Sequence, residues 1–361
     1  MIDIGTSMTS GRVTSRDGTP IGYLKTGRGP AVVIMHGSME SARSHTLLAQ
    51  ALAGDFTVYL PDRRGRGLSG PHRPDHSVRT EVEDLQAVLA ESGAQMVFGV
   101  SAGGLVVLEA ARTLPGIRMI AVYEPALAMD ATRNTAWLER FDRELASGKV
   151  AAAMITSMYG LELAPPFFKI MPRRLLASLT EMAMKREDSK AAPEAITMRK
   201  LAPTIHYEGV LIAEMAGTVD AFRTVTADVL ILGGSKGLPF LKPAREALAR
   251  TLPRSRRVEF PGLDHGASSD PSTTNPGGKP EIVAQVAREV RTFFATLNTR
   301  QETQLNPQHR SWRRGSRGSR RGAGRGAGRC PCPASDRPGL RSPGRPVVRY
   351  LGVGDAVARP G

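Results

Sequence analysis

The sequence predicts an α/β fold: a mostly parallel, doubly wound sheet with a helical cap insertion and a disordered C-terminal tail. Three observations carry that prediction. Short apolar β-type runs alternate with helical patterns through about residue 125 and again from residue 227, and such alternation implies parallel pairing through right-handed crossovers. Between these stretches, residues 129–219 are rich in Ala, Leu and Met, with helical pieces and nothing that reads as a strong strand. From residue 301 the chain turns to low-complexity Arg, Gly, Pro and Ser, which cannot bury enough apolar surface to offset the entropy of ordering it.

Taken in order, "GPAVVIMHG" (29–37) reads as a buried strand, followed by helical "HTLLAQALAG". "FTVYLPDRRGRGLSG" (56–70) is a second strand running into a Gly- and Arg-rich loop. "SVRTEVEDLQAVLAESG" (77–93) has helical period, acids in its first half and a Gly stop. "QMVFGVSAGGLVVLEAARTL" is strand, tight turn and helix, and "RMIAVYEPAL" (118–127) is a strand closed by proline. After the helical stretch come the strand "ADVLILGGSKG" (227–237), a helix near "KPAREALART", "SRRVEFPGLDHGA" (255–267) and a last helix over 280–297. The expected division is a core of residues 1–127 and 220–300, a helical cap of 128–219 and a tail of 301–361. The 361 residues leave ample length for a buried core.

The formal charge of +15 suggests a nucleic-acid binder, but its placement argues otherwise. Residues 301–361 hold 13 Arg against Glu302, Asp336 and Asp355, so +10 lies in the tail and +5 remains for residues 1–300. Nucleic-acid binding is not expected except through the tail, and the tail reads rather as an uninformative extension, of the kind produced when GC-rich DNA is translated past or out of its natural frame. Both cysteines, Cys330 and Cys332, lie there too, so the body has no disulfide framework and no thiolate metal site. The opening "MIDIGTSMTSGRV" carries neither the basic region nor the apolar run of a signal peptide. No apolar run is long enough to span a bilayer. A soluble, cytoplasmic protein with no membrane partner is expected.

The chemistry centres on Gly99-Val100-Ser101-Ala102-Gly103, between the strand "QMVF" and the helix "GLVVLEAA". In such an elbow the serine takes a strained backbone conformation that small neighbours tolerate, and the helix N-terminus favours developing negative charge. A serine hydroxyl needs a base at neutral pH. His265 in "FPGLDHGAS", just past the last strand, supplies one; it is the only histidine between His206 and the tail. Oxyanion donors are expected from the backbone N–H groups of Ala102, which follows the nucleophile, and of Ser38, in "MHGSM" after the first strong strand. His36 reads as a brace for that loop. "DRRGRGLSG" reads as a structural turn rather than a phosphate site. The cap methionines Met154, Met158, Met171, Met182 and Met184 suit either an adaptable apolar pocket or ordinary packing.

The order HG loop, "DRRGRGLSG", "GVSAGG", helical insertion and "GLDHG" resembles the α/β-hydrolase fold family, in its lid-bearing, esterase-like branch, over about residues 11–298. The resemblance implies a Ser–acid–His triad, a pocket between sheet and cap, and catalysis without metal or organic cofactor. Many members place the triad acid in the loop after the penultimate strand, yet here that loop holds no carboxylate from Gly233 to Ala244. Asp228 precedes the strand and Asp264 adjoins His265. Glu124, at the C-terminal end of the strand after the nucleophile helix, lies where ligands gather in parallel sheets, and some relatives place their acid there. The triad acid is thus Glu124 or Asp264, with Glu124 preferred. A serine at position 101 excludes the aspartate-nucleophile epoxide hydrolases and haloalkane dehalogenases of this fold. The expected reaction is acyl-enzyme hydrolysis of a carboxylic ester, lactone or thioester of a small apolar molecule. The alternatives are carbon–carbon bond hydrolysis by the same triad and a non-catalytic ligand-binding protein on this scaffold.

Overall fold

The computed structural model describes residues 8–305, apart from 131–134, 166–167, 169, 193–194, 273–274 and 276–277. The tail expected to be disordered lies, from residue 306, outside the described residues.

Eight strands form one sheet: β1 (Thr9–Thr14), β2 (Pro20–Gly27), β3 (Ala31–Met35), β4 (Thr57–Pro61), β5 (Met96–Val100), β6 (Met119–Tyr123), β7 (Asp228–Gly234) and β8 (Ser255–Phe260). Their spatial order is β1-β2-β4-β3-β5-β6-β7-β8. Pairing is antiparallel from β1 to β4 and parallel from there to β8. The antiparallel hairpin β1–β2 has no counterpart in the sequence reading. Its turn signal, Asp17-Gly18 with Gly18 at φ +86°, was present, but β1 is an edge strand with no buried residue and so lacks an apolar run.

Strand alternation sends side chains to two cores. Val33, Val97, Ile120 and Ile231 face α2 (Val78–Ser92) and α3 (Ser101–Thr113). Ile34, Phe98, Ala121 and Leu230 face α1 (Thr46–Leu52) and α10 (Pro280–Leu305). Burial on both faces explains why these strands read as continuous apolar runs. The helix α10 presents Val283, Val286, Ala287, Val290, Phe294 and Leu297 at helical spacing, and it runs to Leu305 rather than ending at 297.

Between β6 and β7 lie α4 (Trp137–Ala146), α5 (Val150–Gly160), α6 (Arg173–Lys190), α7 (Met198–Leu201) and α8 (Ile205–Met215), with no strand among the described residues. These helices pack tightly: Cβ atoms on Gly160 or Gly209 would strike Trp137. Met154 and Met184 are buried in that packing and Met182 is exposed to solvent. α9 (Lys242–Thr251) then follows β7.

The insertion is fastened to the sheet by buried arginines of the "DRRGRGLSG" loop. Arg63 binds Glu81 at 3.0 and 2.8 Å and Glu208 of α8 at 2.9 Å; Arg66 also donates to Glu208. Arg64 pairs with Asp84 and Asp17 at 2.7 Å. Asp62 accepts from the N–H groups of Ala42 at 2.8 Å and Leu68 at 3.0 Å, shaping the turn. Each of the three buried guanidinium groups meets a carboxylate, which supports a structural turn over a phosphate site.

Two outcomes follow for chemical denaturation. Phe294→Ala, which empties a fully buried site against Phe56, lowers unfolding free energy by about 3–5 kcal/mol, while Met182→Ala stays within about 0.5 kcal/mol. Glu208→Leu strands Arg66 and part of Arg63 in the interior and costs about 3–5 kcal/mol.

Candidate active site

The site is built at the C-terminal edge of the parallel strands. Val100 of β5 pairs with Tyr123 of β6, and Tyr123 pairs with Leu232 of β7. Ser101 and Glu124 therefore leave neighbouring strands at the same level. Both take left-handed backbone conformations, with φ of 52° and 44°, which cost of order 1–3 kcal/mol each for non-glycine residues.

The elbow around Ser101 depends on close backbone approach. A Cβ on Gly99 would lie 2.7 Å from the Gly103 carbonyl oxygen, and one on Gly103 would lie 2.4 Å from that of His36. Both glycines let α3 begin directly where β5 ends. The buried Ala102 lies in the first turn of α3, where backbone N–H groups have no partner within the helix.

Glu124 is completely buried and well supplied with donors. The Gly234 N–H donates to Oε1 at 3.0 Å and the Leu238 N–H to Oε2 at 3.3 Å. Arg245 stands 3.6 Å from Oε1. His265 Nδ1 meets Oε2 at 2.8 Å. Burial, the largest influence, pushes the Glu124 carboxyl up, but the His265 hydrogen bond and charge, the Gly234 N–H and Arg245 outweigh it, and the group sits below its ordinary range. The loop after β7, which holds no carboxylate, thus supplies N–H donors to a carboxylate from β6. Asp264 does not compete for the imidazole: its side chain accepts from the Gly266 N–H at 3.1 Å. Asp228 opens β7 at the opposite edge, beside Arg254.

The chain carrying His265 is pinned on both sides. The Tyr123 hydroxyl donates to the Asp264 carbonyl at 2.6 Å. Beyond the histidine, the Ser268 carbonyl meets His45 Nδ1 at 3.1 Å and the Ser269 hydroxyl donates to Glu40 at 2.5 Å. This draws the segment from above β6 back toward the loop after β3. With Nδ1 donating to Glu124, His265 keeps Nε2 as its acceptor. Among the described residues no hydrogen bond joins the Ser101 hydroxyl to His265; catalytic bonds of this kind are often long in unliganded enzymes and tighten with substrate.

Ser38 lies in the loop that follows β3. That loop approaches Ser101 closely, since a Cβ on Gly37 would lie 3.1 Å from the Ser101 Cβ. His36 braces it: Nε2 accepts from the Arg63 N–H at 3.1 Å, so Nδ1–H faces the Gly37 carbonyl at 2.9 Å. Burial first, then Arg66 and Arg63, holds His36 well below its ordinary pKa, in the neutral form this brace requires.

One cluster among the described residues has metal-ligand chemistry: His72, His76 and Glu81, with ligand atoms within 4.8 Å of one another. Glu81 is already neutralised by Arg63. Burial and then His76, Arg66 and Arg63 drive His72 down to about 2. Two buried cations beside it make this a poor seat for a further positive charge. The residues that sequence reasoning passed over are Tyr123, Glu40, His45, Ser268 and Ser269. Only Glu40, three residues after Gly37 in "HGSME", left a local signal, a side chain able to reach back to a loop N–H.

Comparison with known proteins bears on the fold and the family. The profile described as "Alpha/beta hydrolase family" matches residues 32–276. A pimeloyl-[acyl-carrier protein] methyl ester esterase of Stenotrophomonas maltophilia is 28% identical over 235 residues, covering 64% of this chain and 85% of that protein. The protein of the same name from Xanthomonas campestris is 24% identical over 240 residues, covering 66% and 89%. Among solved structures, an alpha/beta hydrolase from Sphaerobacter thermophilus has 29% identity and a TM-score of 0.61, covering 78% of this chain and 99% of its own. A thermophilic esterase from Thermogutta terrifontis shares the fold at 22% identity and a TM-score of 0.52, covering 78% and 97%. Among the described residues no helix is long and apolar enough to cross a membrane. The family match spans residues 32–276, more than half of the chain, and the chain belongs to the alpha/beta hydrolase family.

Proposed function

We propose that the protein hydrolyses a carboxylic ester, or a related acyl bond such as a lactone or thioester, through Ser101, His265 and Glu124. The observation that carries this reading is the 2.8 Å bond from His265 to the buried Glu124, at the edge where Ser101 leaves β5 in a left-handed turn. That bond also supports catalysis over the non-catalytic alternative, which rested on the missing loop acid.

In the proposed cycle the Ser101 Oγ attacks the ester carbonyl carbon while His265 Nε2 takes its proton. The carbonyl oxygen becomes an oxyanion held by the N–H groups of Ser38 and Ala102, with the N-terminus of α3 adding favourable potential. Glu124 fixes the Nδ1–H tautomer and stabilises the imidazolium. His265 then gives the proton to the departing alkoxide, leaving an acyl-Ser101. Water, deprotonated by His265, attacks that ester; the tetrahedral species collapses to the acid and Ser101 recovers its proton.

The relatives named methyl ester esterases support an ester as the acyl bond cleaved. In this reading residues 128–219 form a cap over the strand edge, and its Ala-, Leu- and Met-rich helices favour a small apolar partner.

Ser101→Ala abolishes turnover of p-nitrophenyl butyrate; full retention of activity contradicts the mechanism. Glu124→Gln lowers kcat by about 10²–10⁴-fold, the range expected when the imidazole loses its orienting carboxylate, and a near-neutral result removes Glu124 from the triad. The pH dependence of stability has a fixed sign. The depressed folded pKa of Glu124, against an ordinary 4.5, means its contribution is fully present above about pH 4.5 and fades as pH falls through the folded value. Thermal melts between pH 6 and pH 3 should lose stability more steeply in the wild type than in Glu124→Gln.

A further inference from the structure

Beside the nucleophile lies a buried ion pair for which the proposed cycle has no use. Glu40 folds back on its own loop. Its Oε2 accepts the Gly37 N–H at 2.7 Å and faces His45 Nε2 at 3.1 Å, while Oε1 accepts the Ser269 hydroxyl at 2.5 Å. The other nitrogen of His45, Nδ1, faces the Ser268 carbonyl at 3.1 Å. A carbonyl and a carboxylate can only accept, so both ring nitrogens carry protons and His45 is an imidazolium. Its side chain has no solvent exposure and that of Glu40 only 18%. Burying two charges is costly even when they are paired, so the position of this pair calls for a reason.

Two loops meet there. On one side is the turn Gly37-Ser38-Met39-Glu40, in which Met39 takes a left-handed φ of 55°; the Glu40–Gly37 bond closes that turn. A Cβ on Gly37 would lie 3.1 Å from both Glu40 Oε2 and the Ser101 Cβ, so carboxylate, loop backbone and nucleophile are packed against one another. On the other side is the segment following His265. Ser268 and Ser269 bind the pair, and Asp270 accepts the N–H groups of Thr46 and Leu47 at 3.0 Å. A lone carboxylate so near an oxyanion would oppose it; the His45 charge cancels that field.

We infer that Glu40, held by His45 and Ser269, is a positioning residue that sets the Gly37–Ser38 peptide against Ser101 and locks the oxyanion loop to the chain bearing His265. This rests on the hydrolase reading above. Glu40 touches neither substrate nor reacting atoms in this role; it acts through the Ser38 N–H.

The test uses the full-length chain, p-nitrophenyl butyrate, and phenylboronic acid, whose adduct with a serine Oγ is tetrahedral and places an oxygen where the oxyanion forms. In Glu40→Gln, kcat should fall by about 10–100-fold with KM within about twofold, as for loss of part of an oxyanion donor's effect. The inhibition constant of phenylboronic acid should rise by the same factor by which kcat/KM falls. A folded Glu40→Gln protein with unchanged kcat, or with reduced kcat but unchanged boronate affinity, overturns the assignment. Should Glu40→Gln fail to fold, Ser269→Ala decides by the same two readouts. It removes only the Oε1 contact, and a parallel shift of about 3–10-fold supports the role, whereas wild-type values overturn it. Wild-type protein and Ser101→Ala separate the two readings. No Ser101-dependent turnover removes the hydrolase itself and this inference with it, while Ser101-dependent turnover with an indifferent Glu40→Gln removes the inference alone.

Discussion

The register of three parallel strands decides where everything else can be. Because Val100 pairs with Tyr123 and Tyr123 with Leu232, the residues that follow each of them emerge side by side at one edge of the sheet. Ser101, Glu124 and Gly233, at the end of β7, are those residues. A slip of one position would send Tyr123 to the opposite face, taking with it the hydroxyl that holds the Asp264 carbonyl at 2.6 Å. Register is held because both faces of these strands are buried, so a slip would cost apolar packing on each side at once.

Strain and charge are concentrated at that edge and compensated locally. The left-handed turn at Ser101 persists because backbone is packed against backbone at Gly99 and Gly103. The Glu124 carboxylate stays ionised in the interior because backbone donors and His265 surround it. The same economy governs the Arg63, Arg64 and Arg66 loop, where each buried guanidinium meets a carboxylate. Glu208 gives that loop a second duty, tying an insertion helix to the sheet.

The sequence made the central strands legible because a strand covered on both faces must be apolar throughout, as "VVIM" and "MVFGV" are. The elbow was legible because its glycines are dictated by close approach. Strand position, chain order and the family resemblance together favoured Glu124 over Asp264 as the partner of His265, 141 residues away. Strand β1 escaped because an edge strand with no buried residue carries no hydrophobic pattern. The Glu40–His45–Ser269 cluster escaped for a different reason: Ser269 is 229 residues from Glu40, and nothing local in either segment specifies the meeting. α10 extends to Leu305, past the helical apolar spacing that ends the sequence reading at residue 297.

The account's central claim is that one serine is activated and that it is Ser101. Incubation of the full-length protein with a fluorophosphonate, followed by proteolysis and mass spectrometry, tests this without any assumption about substrate. A single stoichiometric adduct on the Ser101 peptide, lost in His265→Ala, is the predicted result. No adduct, or one on a different residue, would contradict the account.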